Sequence, residues 1–152
     1  MFKKAMILLF LLLLFPLQIN AETSEVIQEG SVGGFHYQMS MEGRTLTWEI
    51  GHEKRKKTFQ ENSENEESLE SFRKAVNEAS GHRFTMIISA VYVVIVCITT
   101  MIVYKKTKHV PRLASILIAC MGGLGLFFAL MNYMDMRAAL QDAGYYYAVL
   151  LE

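Results

Sequence analysis

The sequence predicts a membrane protein: two transmembrane α-helices in a helical hairpin, carrying a small extracytoplasmic α+β module (a β-hairpin plus one amphipathic helix) behind an N-terminal signal peptide. Three observations predict it. Two long uncharged apolar stretches, 84–104 and 113–134, are separated by only eight residues. Those eight, Lys105 to Arg112, hold four bases and no acid. The 62 residues before the first stretch alternate in polarity and then switch to helical spacing. The chain as a whole has 152 residues, 52% hydrophobic and 20% charged, with 15 bases balancing 15 acids. Such values coexist only where apolar and charged residues are segregated.

The start of the chain reads as a signal peptide over residues 1–21. Lys3 and Lys4 precede the apolar run Ala5–Phe15, Pro16 breaks it, and Ala21 offers a small residue at the cut. The run is shorter than the roughly 20 residues that a bilayer core demands. The other reading is an uncleaved signal anchor, and both readings send Glu22 onward out of the cytoplasm.

Residues 84–104 and 113–134 number 21 and 22. As helices each covers roughly 30 Å, the thickness of the hydrocarbon layer. A soluble helix of that length carries a polar stripe, and neither stretch has one. The loop 105–112 sets the topology: Lys105, Lys106, Lys108 and Arg112 form a positive-inside signal, placing the loop in the cytoplasm. The signal peptide independently requires the first span to run inward. The expected location is therefore the plasma or inner membrane, multi-pass, with the module and the C-terminus extracytoplasmic.

The outer module, 22–83, has no cysteine and so no disulfide brace. A chain of that size is marginal alone. Phe35, Tyr37, Met39 and Met41 alternate with polar residues, as do Leu46, Trp48 and Ile50. Glu42-Gly43-Arg44 supplies the turn of a hairpin. A third short strand is expected at Lys57–Gln60, and Gly30, Gly33 and Gly34 mark a loose entry. Ser63 and Glu66 fit a capping box, opening a helix whose apolar stripe is Leu69, Phe72, Val76 and Ala79. Glu70 and Lys74 make a favourable pair, and Gly81 is the natural stop. The tail 135–152 ends in Tyr145-Tyr146-Tyr147-Ala148-Val149-Leu150-Leu151, read as interfacial anchoring or as a strand added to the hairpin.

Function is read more coarsely. Neither span holds an ionisable residue of the kind that marks ion or proton paths. No nucleophile, acid–base pair or phosphate loop stands out, so the expectation is a non-enzymatic protein without cofactor, metal or catalytic residues. Zero net charge and an acidic module (8 bases against 12 acids in 22–83) argue against nucleic acid. Lys54-Arg55-Lys56-Lys57 is a compact basic run suited to an anionic surface, whether lipid headgroups or a wall polymer. Ser115, Ala119, Gly122 and Gly123, with Gly125 beside them, form a small-residue row for helix packing, inside the chain or against a partner. Cys97 and Cys120 fall at matched depth in the two spans. The partners expected are membrane lipids and either another membrane or envelope protein or a second copy. The function expected is an accessory, regulatory or protective subunit of a cell-envelope complex. The alternative is an extracytoplasmic ligand sensor or copper handler using Met39, Met41 and His36, with Met131, Met134 and Met136, since thioethers suit Cu(I). The lysine-bearing start and the lack of an N-x-Ser/Thr acceptor lean towards a bacterium.

Overall fold

The computed structural model describes residues 25–43, 45–107 and 111–152. The expected signal peptide, Arg44 and Lys108 lie outside the described residues. The chain forms a four-stranded antiparallel sheet followed by two long apolar helices, each long enough to cross a membrane. The strands are β1 (Glu25–Val32), β2 (Phe35–Glu42), β3 (Thr45–His52) and β4 (Arg55–Gln60), side by side in chain order. The helices are α1 (Glu66–Thr107) and α2 (Arg112–Val149).

The sheet is larger than the expected hairpin. The strand foreseen at Lys57–Gln60 begins earlier, at Arg55, and the foreseen loose entry is the whole of β1. β1 lacks visible alternation for two reasons. Its register shifts between Val26 and Gln28, a bulge at Ile27. Its inward positions are also unusual. Gln28 points in because its amide oxygen accepts a 2.6 Å hydrogen bond from Arg73 of α1. Gly30 points in because the Tyr37 ring occupies the space a Cβ would take, only 2.6 Å away. That ring reaches past Gly30 to α1, where its hydroxyl donates to Asn77 Oδ1 at 2.8 Å. The turns are all two residues long, with positive φ at Gly33 and Gly34, at Gly43 and at Glu53. Tight turns of this length suit glycine, so Gly33 and Gly34 join two strands where a loose entry was expected.

The helices are longer than their apolar parts. α1 was expected to stop at Gly81, yet it runs unbroken for 42 residues through the first apolar stretch. A helix stop needs glycine in a left-handed conformation, and Gly81 is not among the positive-φ residues. The expected capping box is replaced by an asparagine pair. Asn62 Oδ1 accepts from the backbone N–H of Glu64 and Asn65, both at 2.9 Å, and Asn65 Oδ1 accepts from Asn62 N–H at 2.8 Å. Glu70 pairs with Arg73 and not with Lys74. α2 likewise continues past Met134 to Val149, so the tail read as an anchor or added strand is helix.

The helices run antiparallel. As α1 advances from Phe72 through His82 to Tyr92, its neighbours on α2 retreat from Tyr147 through Asn132 to Gly125. The ends of both helices nearest the sheet cover one sheet face. The core there contains Val32, Tyr37, Trp48, Ile50, Leu69, Phe72, Val76 and Ala79, closed by Ala139 and Ala143 of α2 and by Leu150 just after it. Burying each of the large side chains contributes about 1.5–3 kcal/mol. Trp48 also donates from Nε1 to Glu61 Oε2 at 2.7 Å, tying β3 to the segment that leads into α1.

Phe72 is fully buried where sheet, α1 and α2 meet. Phe72→Ala is expected to cost about 3–5 kcal/mol. Urea unfolding of the detergent-purified chain, followed by Trp48 fluorescence, measures it. A loss below about 1 kcal/mol would mean that the junction does not hold the module together.

Candidate functional site

Three surfaces remain once the core is accounted for: the apolar flanks of the helix pair, the edge strand β4, and the polar back of the sheet. What presents them is an aromatic seat. Phe35 stacks on His52 with centroids 4.3 Å apart and meets Phe72 and Tyr147 edge-on at 6.1 Å each. Tyr147 stands 6.1 Å from both His52 and Phe72. Such aromatic pairs add about 0.5–1.5 kcal/mol each beyond the area they bury. One cluster therefore joins β2, β3, α1 and α2. On the same side, Gly33 sits directly on the Leu140 side chain.

Along the apolar length the helices meet along one seam, with Met86, Val93 and Val96 of α1 and Ile118, Gly122, Gly125 and Ala129 of α2 at least half-buried, and leave their other faces exposed. None of the most apolar part of α1, and only 6% of that of α2, is buried. The closest approach is at Gly125, where an added Cβ would sit 2.8 Å from both Tyr92 Cδ1 and Val93 Cγ2. Nearer the module, His82 Nδ1 lies 3.0 Å from Asn132 Oδ1, and Asn132 Nδ2 donates to Phe128 O at 2.9 Å. The small residues of the expected packing row do not all share one face. Ser115, Ala119 and Gly123 are exposed, Gly122 is half-buried, and both glycines open onto empty space. Gly125 thus makes the close contact within the chain and half-buried Gly122 lies beside that seam, while Ser115, Ala119 and Gly123 are exposed. At the far end, Lys105 and Lys106 close α1 and Arg112 opens α2, all exposed.

Compared with protein-family models, with curated proteins and with solved structures, the chain has no match in any of the three.

The basic run lies on the last strand and the turn before it. Lys54, Arg55, Lys56 and Lys57 are all exposed. Lys56 donates to Glu49 at 2.6 Å, and Lys57 Nζ lies 5.0 Å above the Phe59 ring. Lys54 and Arg55 make no ion pair among the described residues. The proposed soft-metal residues are separated. Met39 packs partly into the core, Met41 is 45% exposed, and His36 occupies the opposite face of the same strand. On that back face a shallow concavity of about 320 Å³ is lined by Glu29, Ser31, His36, Gln38, Glu49 and Lys56. The His36 ring lies over Gly51, which has no side chain to obstruct it, and its buried Nε2 has no hydrogen-bond partner. Cys97 and Cys120 are free and exposed.

What the sequence did not reveal is the pairing between elements: Tyr147 with His52, Gly125 with Tyr92, and His82 with Asn132. Tyr147 had a signal. Met136, Leu140, Ala143, Tyr147 and Leu150 recur at helical spacing beyond the apolar stretch, a period that continues α2 into the module.

The two glycines separate by consequence. Gly125→Leu is expected to cost about 1–3 kcal/mol by forcing the helices apart. Gly123→Leu should stay within about 0.5 kcal/mol, because its side chain enters open space. Thermal unfolding in mild detergent checks this, and equal losses would contradict the assigned helix contact.

Proposed function

We propose that this chain is a two-span protein of the plasma or inner membrane that works by protein contact and not by catalysis. It acts as an accessory, regulatory or protective subunit of an envelope complex. On this reading the bases at Lys105, Lys106, Lys108 and Arg112 stay in the cytoplasm, and the module and the C-terminus stand outside. The observation that carries it is the exposure of both apolar helices along their length while their ends nearest the sheet are locked into a folded module. A surface that apolar needs lipid or protein around it. A module clamped to it then stands at a fixed place above the bilayer, which is a useful property in a subunit that positions or reports on a neighbour. Ser115, Ala119, Gly122 and Gly123 offer a close-packing row to a partner helix or a second copy. Copper handling has less behind it, because His36 lies across the sheet from Met39 and Met41.

Two measurements test the reading. In a chain with Cys97 and Cys120 replaced by serine, a membrane-impermeant maleimide should label Glu64→Cys in intact cells and label Lys108→Cys only after lysis. The reverse pattern would invert the topology. Mild-detergent purification from the native host should recover a co-eluting membrane protein, or a second copy, and Ala119→Leu with Gly123→Leu should lower that recovery at least tenfold at unchanged abundance. Unchanged recovery would remove the helix row from the contact surface.

A further inference from the structure

The basic run is better understood as part of a strand edge than as a patch of charge. Glu61 N–H donates to Leu46 O at 3.0 Å, so Leu46 and Glu61 form a bonded rung. Antiparallel ladders alternate bonded and non-bonded pairs. The register then makes Trp48–Phe59, Ile50–Lys57 and His52–Arg55 the bonded rungs. The backbone N–H and C=O groups of Lys56, Thr58 and Gln60 consequently point away from β3. Gln60 O is taken by Asn65 Nδ2 at 2.9 Å, as that direction requires. No strand pairs with β4 on its outer side among the described residues.

The edge therefore presents outward backbone groups at Lys56 and Thr58, flanked by bases on both faces of the strand. Arg55 and Lys57 lie on the core-side face and Lys56 on the back face, and the strand holds no acid. An open edge is a template for an added strand. Here the charges choose the partner. A second copy of β4 laid parallel, or antiparallel about Lys57, would set base against base, which is unfavourable. An extended acidic segment would gain main-chain hydrogen bonds and favourable side-chain pairs together.

Height excludes the chain's own bilayer as the anionic surface, on the topology proposed above. Eighteen residues separate Glu66 from Phe84, about 27 Å of helix, and the C-terminal end of β4 lies just before Glu66. The other end pairs with His52, which contacts Tyr147, and Tyr147 stands about 20 Å beyond Met134 along α2. The headgroup layer is only about 5–8 Å deep on each side, and charge is screened over about 8 Å at physiological salt.

We infer that β4 is a docking edge for an extended acidic segment of another envelope protein, which joins the sheet as a fifth strand outside the headgroup layer. The inference rests on the proposed topology only for where the partner lies. The docking itself is testable in a reconstituted chain of either orientation.

The test uses the full-length protein in phosphatidylcholine nanodiscs and a fluorescein-labelled decapeptide of alternating Glu and Thr, read by anisotropy. Binding should weaken at least tenfold for Arg55→Glu with Lys57→Glu. It should weaken as much for Thr58→Pro, which removes an outward N–H and leaves the bonds to β3 intact. The same peptide N-methylated at alternate residues should fail to bind the unaltered protein, a result independent of any effect of Thr58→Pro on folding. Long-chain polyphosphate, a linear anion without peptide groups, should bind weakly and ignore Thr58→Pro. Equal binding of both peptides, or of polyphosphate and peptide, would overturn strand addition and leave a site for charge alone. Absence of peptide binding would overturn the proposal outright and leave the bases as protection of an edge strand. Binding of phosphatidylglycerol vesicles as tight as that of the peptide would overturn the exclusion of lipid.

Discussion

The structure depends on the contact of Phe72 and Tyr147 with Phe35 and His52. Without it there would be a four-stranded sheet with one apolar face uncovered, and two helices whose ends project, uncovered, past their long apolar stretches. Neither piece is self-sufficient. A small sheet has too little interior to hold itself, and two helices joined along a single seam have few other contacts to fix their angle. The aromatic seat solves both needs with one set of side chains. It brings together residues far apart in sequence, and Tyr37 with Asn77 and Trp48 with Glu61 extend the same logic by hydrogen bonding.

Continuity of the helices turns that local seat into a property of the whole molecule. α1 passes through Gly81 without a break, and Thr85 Oγ1 donates to Gly81 O at 3.1 Å on the way. A glycine inside a helix costs about 1 kcal/mol relative to alanine. The packing of Leu69, Phe72, Val76 and Ala79 on one side and the apolar stretch on the other outweigh it. There is accordingly no linker at which the module can swing relative to the apolar helices. The close seam at Gly125 and the core around Phe72 divide the labour: the module end fixes the pair, and the outer faces of the apolar length stay open to their surroundings.

Much of this was legible in the sequence, and the parts that were not have physical reasons. β2 and β3 read correctly because Phe35, Tyr37, Trp48 and Ile50 alternate cleanly. β1 did not, because its inward residues serve partners elsewhere: Gln28 serves Arg73, and Gly30 makes room for Tyr37. The helical stripe from Leu69 to Ala79 was legible, but its end was not, since glycine stops a helix only where the chain is free to turn. The tail was misread because three consecutive tyrosines suggest an interface. Only the longer period from Met136 to Leu150 reveals a helix returning to the core. Of the candidate surfaces, the basic run was visible as charge, while its openness came only from the register of β3 and β4. The small-residue row was visible, but which glycine meets α1 was not, because one-residue differences in a helix rotate the contact by about 100°.

Above all, the sheet and the apolar helices form one rigid body. Distance measurement by pulsed electron spin resonance tests it most directly. With Cys97 and Cys120 replaced by serine, spin labels would be placed at Lys56→Cys on β4 and Ser115→Cys on α2, both exposed positions. A rigid body predicts one narrow distance distribution, the same in detergent and in lipid bilayers. A broad or two-peaked distribution, or one that shifts between the two environments, would contradict it.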